Sequence, residues 1–243
     1  MREATSYVDA LAVLRDPAYT VPPVPDAPSG VAWLRASVAR FSSGAAHERR
    51  RGYAVEELAR VDPAALRRAA LDRATRALAS GAPLESVSRV VPVELLAAAL
   101  GAPGDVVPDV LAVAKVYLPG SGDDPAADEA VDRLAGVFGA DERGAARIGL
   151  LCQACEATAG LIERAVHRGD PLDEVLRVDP PVRGTRRLDE QREPVFVDFV
   201  RANLDANGEH LTFGAGAHQC PGQEHALALA AGGVEACLGA RRS

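Results

Sequence analysis

The chain is poor in aromatic residues and in lysine, and it contains no long hydrophobic run. Aromatic residues make up 4% of its 243 residues, and Lys115 is the one lysine, so arginine carries nearly all of the positive charge. Alanine is frequent, whereas the aromatic residues that favour strands are scarce, which predicts helices. No apolar run reaches the roughly 18 residues of a membrane span, so we expect no membrane association.

Net charge and cysteine content exclude further classes. The formal net charge is −7, which argues against a nucleic-acid binder because such proteins carry surplus positive charge. Four cysteines are too few for a disulfide scaffold of this length. The first residues contain no apolar stretch followed by a small-residue cleavage site, so no secretory signal is expected. These features predict a reduced, cytoplasmic, globular protein with enough hydrophobic residues for a substantial core.

Helical periodicity and capping signals recur along the chain. Asp62 and Pro63 mark the start of one helix, and the longest candidate runs from Asp141 to Arg168, which spans roughly 40 Å as a helix. The run from Pro194 to Val200 is rich in β-branched and aromatic residues and predicts a strand. Other helical candidates are Ser6–Arg15, Ala45–Arg60, Leu84–Leu100, Asp105–Leu118, Pro171–Val178 and the alanine-rich segment that starts near Gly222. The predicted fold is a single, mainly α domain over residues 1–243 with a small β-sheet.

The most informative segment runs from Phe213 to Gly222, directly before the last predicted helix. Its glycines allow tight turns and a close approach to something bulky. Cys220 stands at the start of a helix, where amides and the helix dipole favour a thiolate, so it suits a nucleophile or a metal ligand. The spacing of Cys220 to His218 and His225 matches no common zinc finger or ribbon.

This segment resembles the haem-binding loop of cytochromes P-450, which has the pattern Phe-x-x-Gly-x-x-x-Cys-x-Gly. The residues at the fixed positions are Phe213, Gly216, Cys220 and Gly222. Three further family signatures occur in the family's order: His47-x-x-x-Arg51, Gln153–Thr158 in the long central helix, and Glu174-x-x-Arg177 followed by Asp179–Val182. The resemblance extends from about Asp9 to Leu238 and implies a compact, truncated, bacterial cytochrome P-450-like fold.

The resemblance implies a haem b cofactor, iron protoporphyrin IX, whose iron is bound by the Cys220 thiolate. Thiolate ligation pushes electron density towards iron and favours O–O cleavage. The haem propionates need cationic or hydrogen-bonding partners, and the residues at the corresponding family positions are His47, Arg51, Arg187 and His218. Phe213, Gly216 and Gly222 would shape the loop around the cofactor. Glu174 and Arg177 would form a buried structural ion pair.

The central helix departs from the family at its acid–threonine pair. Glu156 keeps the acid, but Ala157 stands where the threonine belongs and Thr158 comes one residue later, a rotation of about 100° on a helix. Ala154 also replaces the usual glycine. Glu156, together with Thr158, is predicted to handle protons. The departure favours a substrate hydroxyl or water in place of the threonine, or a reaction that uses peroxide or no oxygen.

The proximal side of the predicted haem site is shortened. Cys220 follows Arg177 by only 43 positions, so the irregular segment that supports this side in the family is largely missing. We expect an open haem face, or a dimer or partner protein that covers it. Pro221 has no N–H, so the sulfur lacks one hydrogen-bond donor, which is expected to lower the potential of the iron.

The resemblance implies a haem-thiolate oxidoreductase, a cytochrome P-450-like monooxygenase that acts on a small organic molecule in the tailoring of specialised metabolites. Its electrons would come from a ferredoxin and ferredoxin reductase, since the chain has no flavin or iron–sulfur motif. One alternative is a peroxide-dependent or redox-neutral haem enzyme, such as a peroxygenase, isomerase or dehydratase. Another is a non-catalytic helper of a partner enzyme, although such helpers generally lose the cysteine that is retained here. Cys152 and Cys155 are interpreted as small core residues.

Overall fold

The computed structural model describes residues 1–241, which form eleven α-helices and three β-strands. The helices are α1 (Tyr7–Arg15), α2 (Gly30–Ser37), α3 (Gly44–Leu58), α4 (Pro63–Ala79), α5 (Leu84–Ala99), α6 (Val107–Val116), α7 (Pro125–Phe138), α8 (Glu142–Arg168), α9 (Leu172–Val178), α10 (Phe199–Asp205) and α11 (Gln223–Ala240). The strands are β1 (Arg2–Ala4), β2 (Gly184–Leu188) and β3 (Pro194–Asp198). Short 3₁₀ turns cover Ala39–Phe41 and Gly216–His218. The predicted mainly α fold with a small sheet is confirmed.

The start of a helix leaves backbone N–H groups without partners, and here aspartate side chains accept hydrogen bonds from them. Asp62 accepts from the amide of Ala64 at 2.9 Å, directly before α4. Asp141 accepts from the amide of Gly144 at 2.7 Å, at the start of α8. At its other end α8 stops at Gly169, whose φ of +72° suits glycine. The predicted bounds of these two helices therefore agree with the structure.

Helix α8 is the longest element, and it packs against α3, α5, α6 and α11. One face of α8 is buried along its whole length: Ile148, Leu151, Cys155, Thr158, Ile162 and Val166. Cys152 and Cys155 both lie in the hydrophobic core, as expected for small core residues. A smaller apolar cluster joins the first residues of the chain to residues 195–215, and it includes α1, β3 and α10.

The three strands have the order β1-β3-β2, with β1 parallel and β2 antiparallel to β3. Val195 and Val197 of β3 are completely buried, which is typical of a central strand. The prediction of a strand up to Val200 is wrong for the last two residues. Asp198 accepts a hydrogen bond from the amide of Arg201 at 3.1 Å and so caps α10, which begins at residue 199.

A buried carboxylate fixes α3 to α8. Glu57 is 3% exposed, and it accepts hydrogen bonds from Arg143 and from Arg147, the latter at 2.8 Å. These two arginines hold the pKa of Glu57 below its usual value, although burial acts in the opposite direction. The position of α3 matters because this helix carries the predicted site residues His47 and Arg51.

Within residues 1–241, no helix is both long enough and apolar enough to cross a lipid bilayer.

Candidate functional site

A cavity of about 630 Å³ lies between α8 and the loop that ends at α11. This volume is in the range of sites for small molecules and cofactors. Its apolar lining includes residues of α5, α8 and α11: Leu96, Leu150, Ala154, Leu161 and Leu229. Most of its polar side chains come from α3, from β2 and from the loop that carries Cys220, and together they form the polar wall.

The polar wall is cationic. Its lining includes five arginines and three histidines, and it includes no aspartate or glutamate from the described residues: Arg40, Arg50, Arg51, Arg186, Arg187, His47, His218 and His225. The charge of Arg50 is offset by Glu142, which does not line the cavity: Nε of Arg50 lies 2.9 Å from Oε1 of Glu142. In the described part of the chain, none of the other four arginines forms an ion pair within 4.0 Å. The cavity is therefore suited to a ligand that carries more than one negative charge.

Two histidines stack at this wall. The rings of His47 and His218 lie 3.9 Å apart between centroids, with a tilt of 39°. Burial, followed by the charges of neighbouring groups, lowers the pKa of both, and that of His218 reaches about 3. Both imidazoles are consequently neutral near pH 7, so they offer hydrogen bonds rather than charge. Arg51, one turn after His47, donates to the carbonyl oxygen of Gln219 at 2.6 Å and ties α3 to the cysteine loop.

Arg187 is a buried cation without a carboxylate partner in the described chain. It is 6% exposed and donates to the hydroxyl of Thr185 at 3.0 Å and to the carbonyl oxygen of Arg186 at 2.9 Å. Burial, helped by the charge of Arg40, lowers the pKa of Arg187 to about 10, so it remains charged at neutral pH. A buried, unpaired charge is unfavourable, and an anion in the cavity would offset this cost.

The cysteine loop depends on glycine. Gly214 and Gly216 have φ angles of +72° and +66°, which side chains rarely adopt. A Cβ atom on Gly216 would lie 2.6 Å from the carbonyl oxygen of Leu14 in α1. Gly216 is thus not part of the cavity lining; it lets the loop pack directly on the end of α1. This contact is the physical reason for a glycine at that position of the motif.

Cys220 lines the cavity at the end of this loop. Its backbone amide donates to the carbonyl oxygen of Phe213 at 2.8 Å, which closes the loop. Burial raises the pKa of the Cys220 thiol, whereas a backbone hydrogen bond from Gly222 and the charges of Arg40 and Arg51 lower it. Phe213 and Gly222 also line the cavity. Because a metal cation favours the thiolate, these groups can hold Cys220 as a metal ligand.

Asn203, which belongs to none of the motifs described above, supports the start of the cysteine loop. Its side chain donates to the carbonyl oxygen of Leu176 and to the hydroxyl of Thr212, both at 3.0 Å. The side-chain oxygen of Asn203 accepts from the amide of Leu211 at 2.7 Å. Asn203 is completely buried, so α9, α10 and the residues just before Phe213 are joined by one polar network. No local sequence signal marks an asparagine whose partners are distant in the chain.

Glu174 and Arg177 form the predicted ion pair through two hydrogen bonds, at 2.7 and 2.9 Å. The expectation that the pair is buried is wrong, because the Glu174 side chain is 41% exposed and the Arg177 side chain 28%. No described segment covers the pair from the solvent side. An exposed pair contributes little to stability, which leaves Asn203 as the stronger support of the loop.

The wall formed by α8 holds one of the two predicted proton-handling residues. Thr158 lines the cavity and is 1% exposed, and its hydroxyl has no hydrogen-bond partner among the described residues. Ala154 and Ala157 line the same wall. Glu156 is not brought to the cavity: its side chain is 56% exposed and forms an ion pair with Arg89 at 3.5 Å. A buried hydroxyl without a partner is ready to bond to a ligand.

A zinc site receives no support. Residues 1–241 contain no group of three or more histidine, cysteine, aspartate or glutamate side chains arranged to hold a metal ion. Nε2 of His225 lies 3.1 and 3.0 Å from the carbonyl oxygens of Leu58 and Val61. His225 therefore joins the start of α11 to the end of α3.

The chain resembles solved cytochrome P450 structures over nearly its whole length. P450BioI, solved in complex with an acyl carrier protein that carries hexadec-9Z-enoic acid, superposes with a TM-score of 0.80 at 18% identity, covering 99% of this chain and 85% of that one. The cytochrome P450 hydroxylase LnmZ of Streptomyces atroolivaceus gives a TM-score of 0.70 at 20% identity, over 99% of this chain and 89% of that one. PksS of Bacillus subtilis gives 0.77 at 16% identity, over 98% and 82%.

No protein-family model and no curated protein matches the sequence. At identities of 16–20%, the structural likeness establishes the fold alone. The predicted resemblance in fold is confirmed: this is a compact cytochrome P450-like fold.

Proposed function

We propose that this protein is a haem-thiolate oxidoreductase, a cytochrome P-450-like monooxygenase that acts on a small organic molecule. The observation that carries the proposal is the cavity itself: a cysteine lies in its wall, α8 contributes an apolar wall, and the cationic wall contains no carboxylate among residues 1–241. The fold, and the fact that its structural neighbours are cytochromes P450, one of them a hydroxylase, support it. LnmZ belongs to the leinamycin biosynthetic pathway, which agrees with a role in specialised metabolism.

The residues present fit haem b. Bound haem would supply the iron centre at which oxidation takes place, made electron-rich by a thiolate ligand. Cys220 would hold the iron, and the buried, unpaired Arg187 would bind a propionate together with Arg51. His47 and His218 are neutral, and they would add hydrogen bonds to the propionates. The Arg187 guanidinium is buried and has no carboxylate partner among the described residues, and this is the structural observation that favours an anionic cofactor here.

On the other side of the cavity, the Thr158 hydroxyl would hydrogen-bond to substrate or to water. The apolar side chains of α8 would exclude bulk water and contact the apolar part of the substrate. A ferredoxin and its reductase are the proposed electron donors. An exposed ion pair at Glu174 agrees with a lightly covered proximal side, which a partner protein or a second copy would cover.

A peroxide-dependent or redox-neutral reaction is the second candidate, and one observation favours it. The cavity lining contains no carboxylate from the described residues, and Glu156 faces Arg89 instead. A proton supply from an acid on α8 would therefore be lacking, and a reaction that needs no such supply fits the site. A non-catalytic helper is disfavoured by the intact loop around Cys220.

Absorption spectroscopy tests the cofactor. After reduction under carbon monoxide, we expect the haem-loaded protein to show the red-shifted Soret band that thiolate ligation produces. A protein that takes up no haem, or one whose band has the position typical of histidine ligation, would contradict the proposal. Turnover with hydrogen peroxide alone, compared with turnover with ferredoxin, reductase and oxygen, then separates the two candidate reactions.

Replacing Pro221 by alanine is expected to make the reduction potential of the haem more positive. The substitution restores a backbone N–H next to the sulfur of Cys220, and a hydrogen bond to the thiolate stabilises the reduced iron relative to the oxidised form. Spectroelectrochemical titration of both proteins measures the shift. An unchanged potential would show that residue 221 does not limit hydrogen bonding to the sulfur.

A further inference from the structure

The cavity has more positive charge than the proposed cofactor neutralises, and this inference rests on the proposed function. Four of its arginines have no carboxylate partner within 4.0 Å in the described chain, whereas haem brings two propionates. The positive charge of a ferric porphyrin core is cancelled by the thiolate. Two arginines, Arg40 and Arg186, then remain without a counter-ion in the described chain; both line the cavity and are exposed to solvent, so they lie at its open side, where either can receive an anionic second ligand.

Arg40 is the arginine best placed to receive that ligand. It follows α2, on the 3₁₀ turn ahead of α3, and it lines the same cavity as Cys220. Arg40 is exposed to solvent, so its guanidinium lies at the open side of this cavity, next to Gln153 of α8.

The Arg40 side chain is held from two sides. Its Nη1 atom donates to Oε1 of Gln153 at 3.3 Å, and its guanidinium carbon lies 5.8 Å from the ring centroid of Phe41. Gln153 is itself oriented, because its amide nitrogen donates to the carbonyl oxygen of Gly149 at 2.9 Å. A guanidinium has five N–H groups, and Gln153 uses one of them. The others can bind a planar anion without first being ordered.

The walls next to Arg40 are apolar. Leu118 and Pro119, from the loop after α6, line the same cavity as Leu150 and Ala154 of α8. A ligand with an anionic end and an apolar body would satisfy both surfaces. Carboxylates match the fork of a guanidinium through two parallel hydrogen bonds.

We propose that Arg40, oriented by Gln153 and Phe41, binds the carboxylate of the substrate, and that the substrate is therefore a small apolar carboxylic acid. The interaction sets specificity: the acid end is held at the cavity wall while the apolar part lies along α8. Neutral molecules of the same shape would lack this charge-assisted bond and would bind more weakly.

Calorimetric titration of the haem-loaded protein with matched acids and amides tests this assignment. The probes are octanoate against octanamide and phenylacetate against phenylacetamide, because each amide has nearly the shape of its acid. We expect at least one acid to bind about tenfold or more tightly than its amide, as a charge-assisted bidentate pair implies. Arg40→Gln should remove that preference and leave the amide affinity within about twofold of the wild-type value.

Arg68→Gln, a change at an exposed arginine on α4 outside the cavity, serves as the control and should keep the preference for the acid. Equal affinity for acid and amide in both pairs, including no binding of either, would overturn the assignment. A preference for the acid that persists in Arg40→Gln would also overturn the assignment. Loss of haem from that variant would overturn it too, because Arg40 would then be a propionate ligand. Failure to bind haem in the wild-type protein contradicts the proposed function and is seen separately, in the absorption spectrum.

Discussion

Replacing Cys220 by serine is expected to abolish completely the red-shifted Soret band of the reduced, carbon monoxide-treated protein. The serine hydroxyl has nearly the same shape as the thiol but is a poor ligand for iron, so the loop should keep its fold. The loop itself is fixed by other contacts, including the bond from the Cys220 amide to the Phe213 carbonyl oxygen. Haem should still enter the cavity, since the cationic wall is unchanged, but its absorption should be that of haem without a thiolate ligand.

Cys237→Ala is the matched control for this experiment. Cys237 is buried in α11 and is not among the residues that line the cavity, so its removal should leave the spectrum unchanged. Circular dichroism and the urea midpoint would show whether each variant is folded. If Cys220→Ser kept the thiolate band, the iron ligand would have to be another cysteine, and the proposed site would be wrong.

Replacing Arg187 by methionine is expected to have opposite effects on the empty and the loaded protein. Without haem, removal of a buried and unpaired charge should stabilise the fold by about 1–3 kcal/mol. With haem, the same change removes a charge-assisted bond to a propionate and should raise the dissociation constant of haem roughly ten- to hundredfold. A residue with only a structural role would not give this pair of opposite signs.

Urea unfolding in the absence of haem measures the first effect, and transfer of haem to an acceptor protein measures the second. Arg183→Met is a useful comparison, because Arg183 lies just before β2, is 64% exposed, and is absent from the cavity lining. We expect little change in either quantity for that variant. A destabilised haem-free Arg187→Met protein would mean that its bonds to Thr185 and to the backbone outweigh the cost of burying its charge.

Elements with local signals could be predicted from the sequence, and those that depend on distant partners could not. Helices α4 and α8 begin directly after Asp62 and Asp141, where the sequence predicts their starts. By contrast, β1 and β2 are short segments of three and five residues, and their sequences carry no alternation of apolar residues. They become strands because β3 lies between them. Helix α10 could not be predicted because its first residues, Phe199 and Val200, continue a run of β-branched and aromatic residues. Asp198, which caps the helix, lies inside that run.

The candidate site shows the same division. Motif spacing identifies His47, Arg51 and Cys220, and the structure brings all three to one cavity. The same spacing places Glu156 near them, but a helix turns by about 100° per residue, and the side chain is directed towards Arg89. Motif spacing does not mark Arg40 as a site residue, because its hydrogen-bond partner Gln153 lies more than a hundred residues away in sequence.

The pairing of β1 with β3 has a consequence for the synthesis of the protein. Arg2 pairs with Val195, and the end of α1 forms the surface on which Gly216 packs. A ribosome adds about 5–20 residues per second, so the first strand waits roughly 10–40 s for its neighbour to be made. During this interval β1 and α1 have no partner, and the cofactor pocket cannot close. Insertion of the proposed haem would therefore come late, after most of the chain has left the ribosome, and a nascent chain stalled before residue 195 is expected to retain no haem.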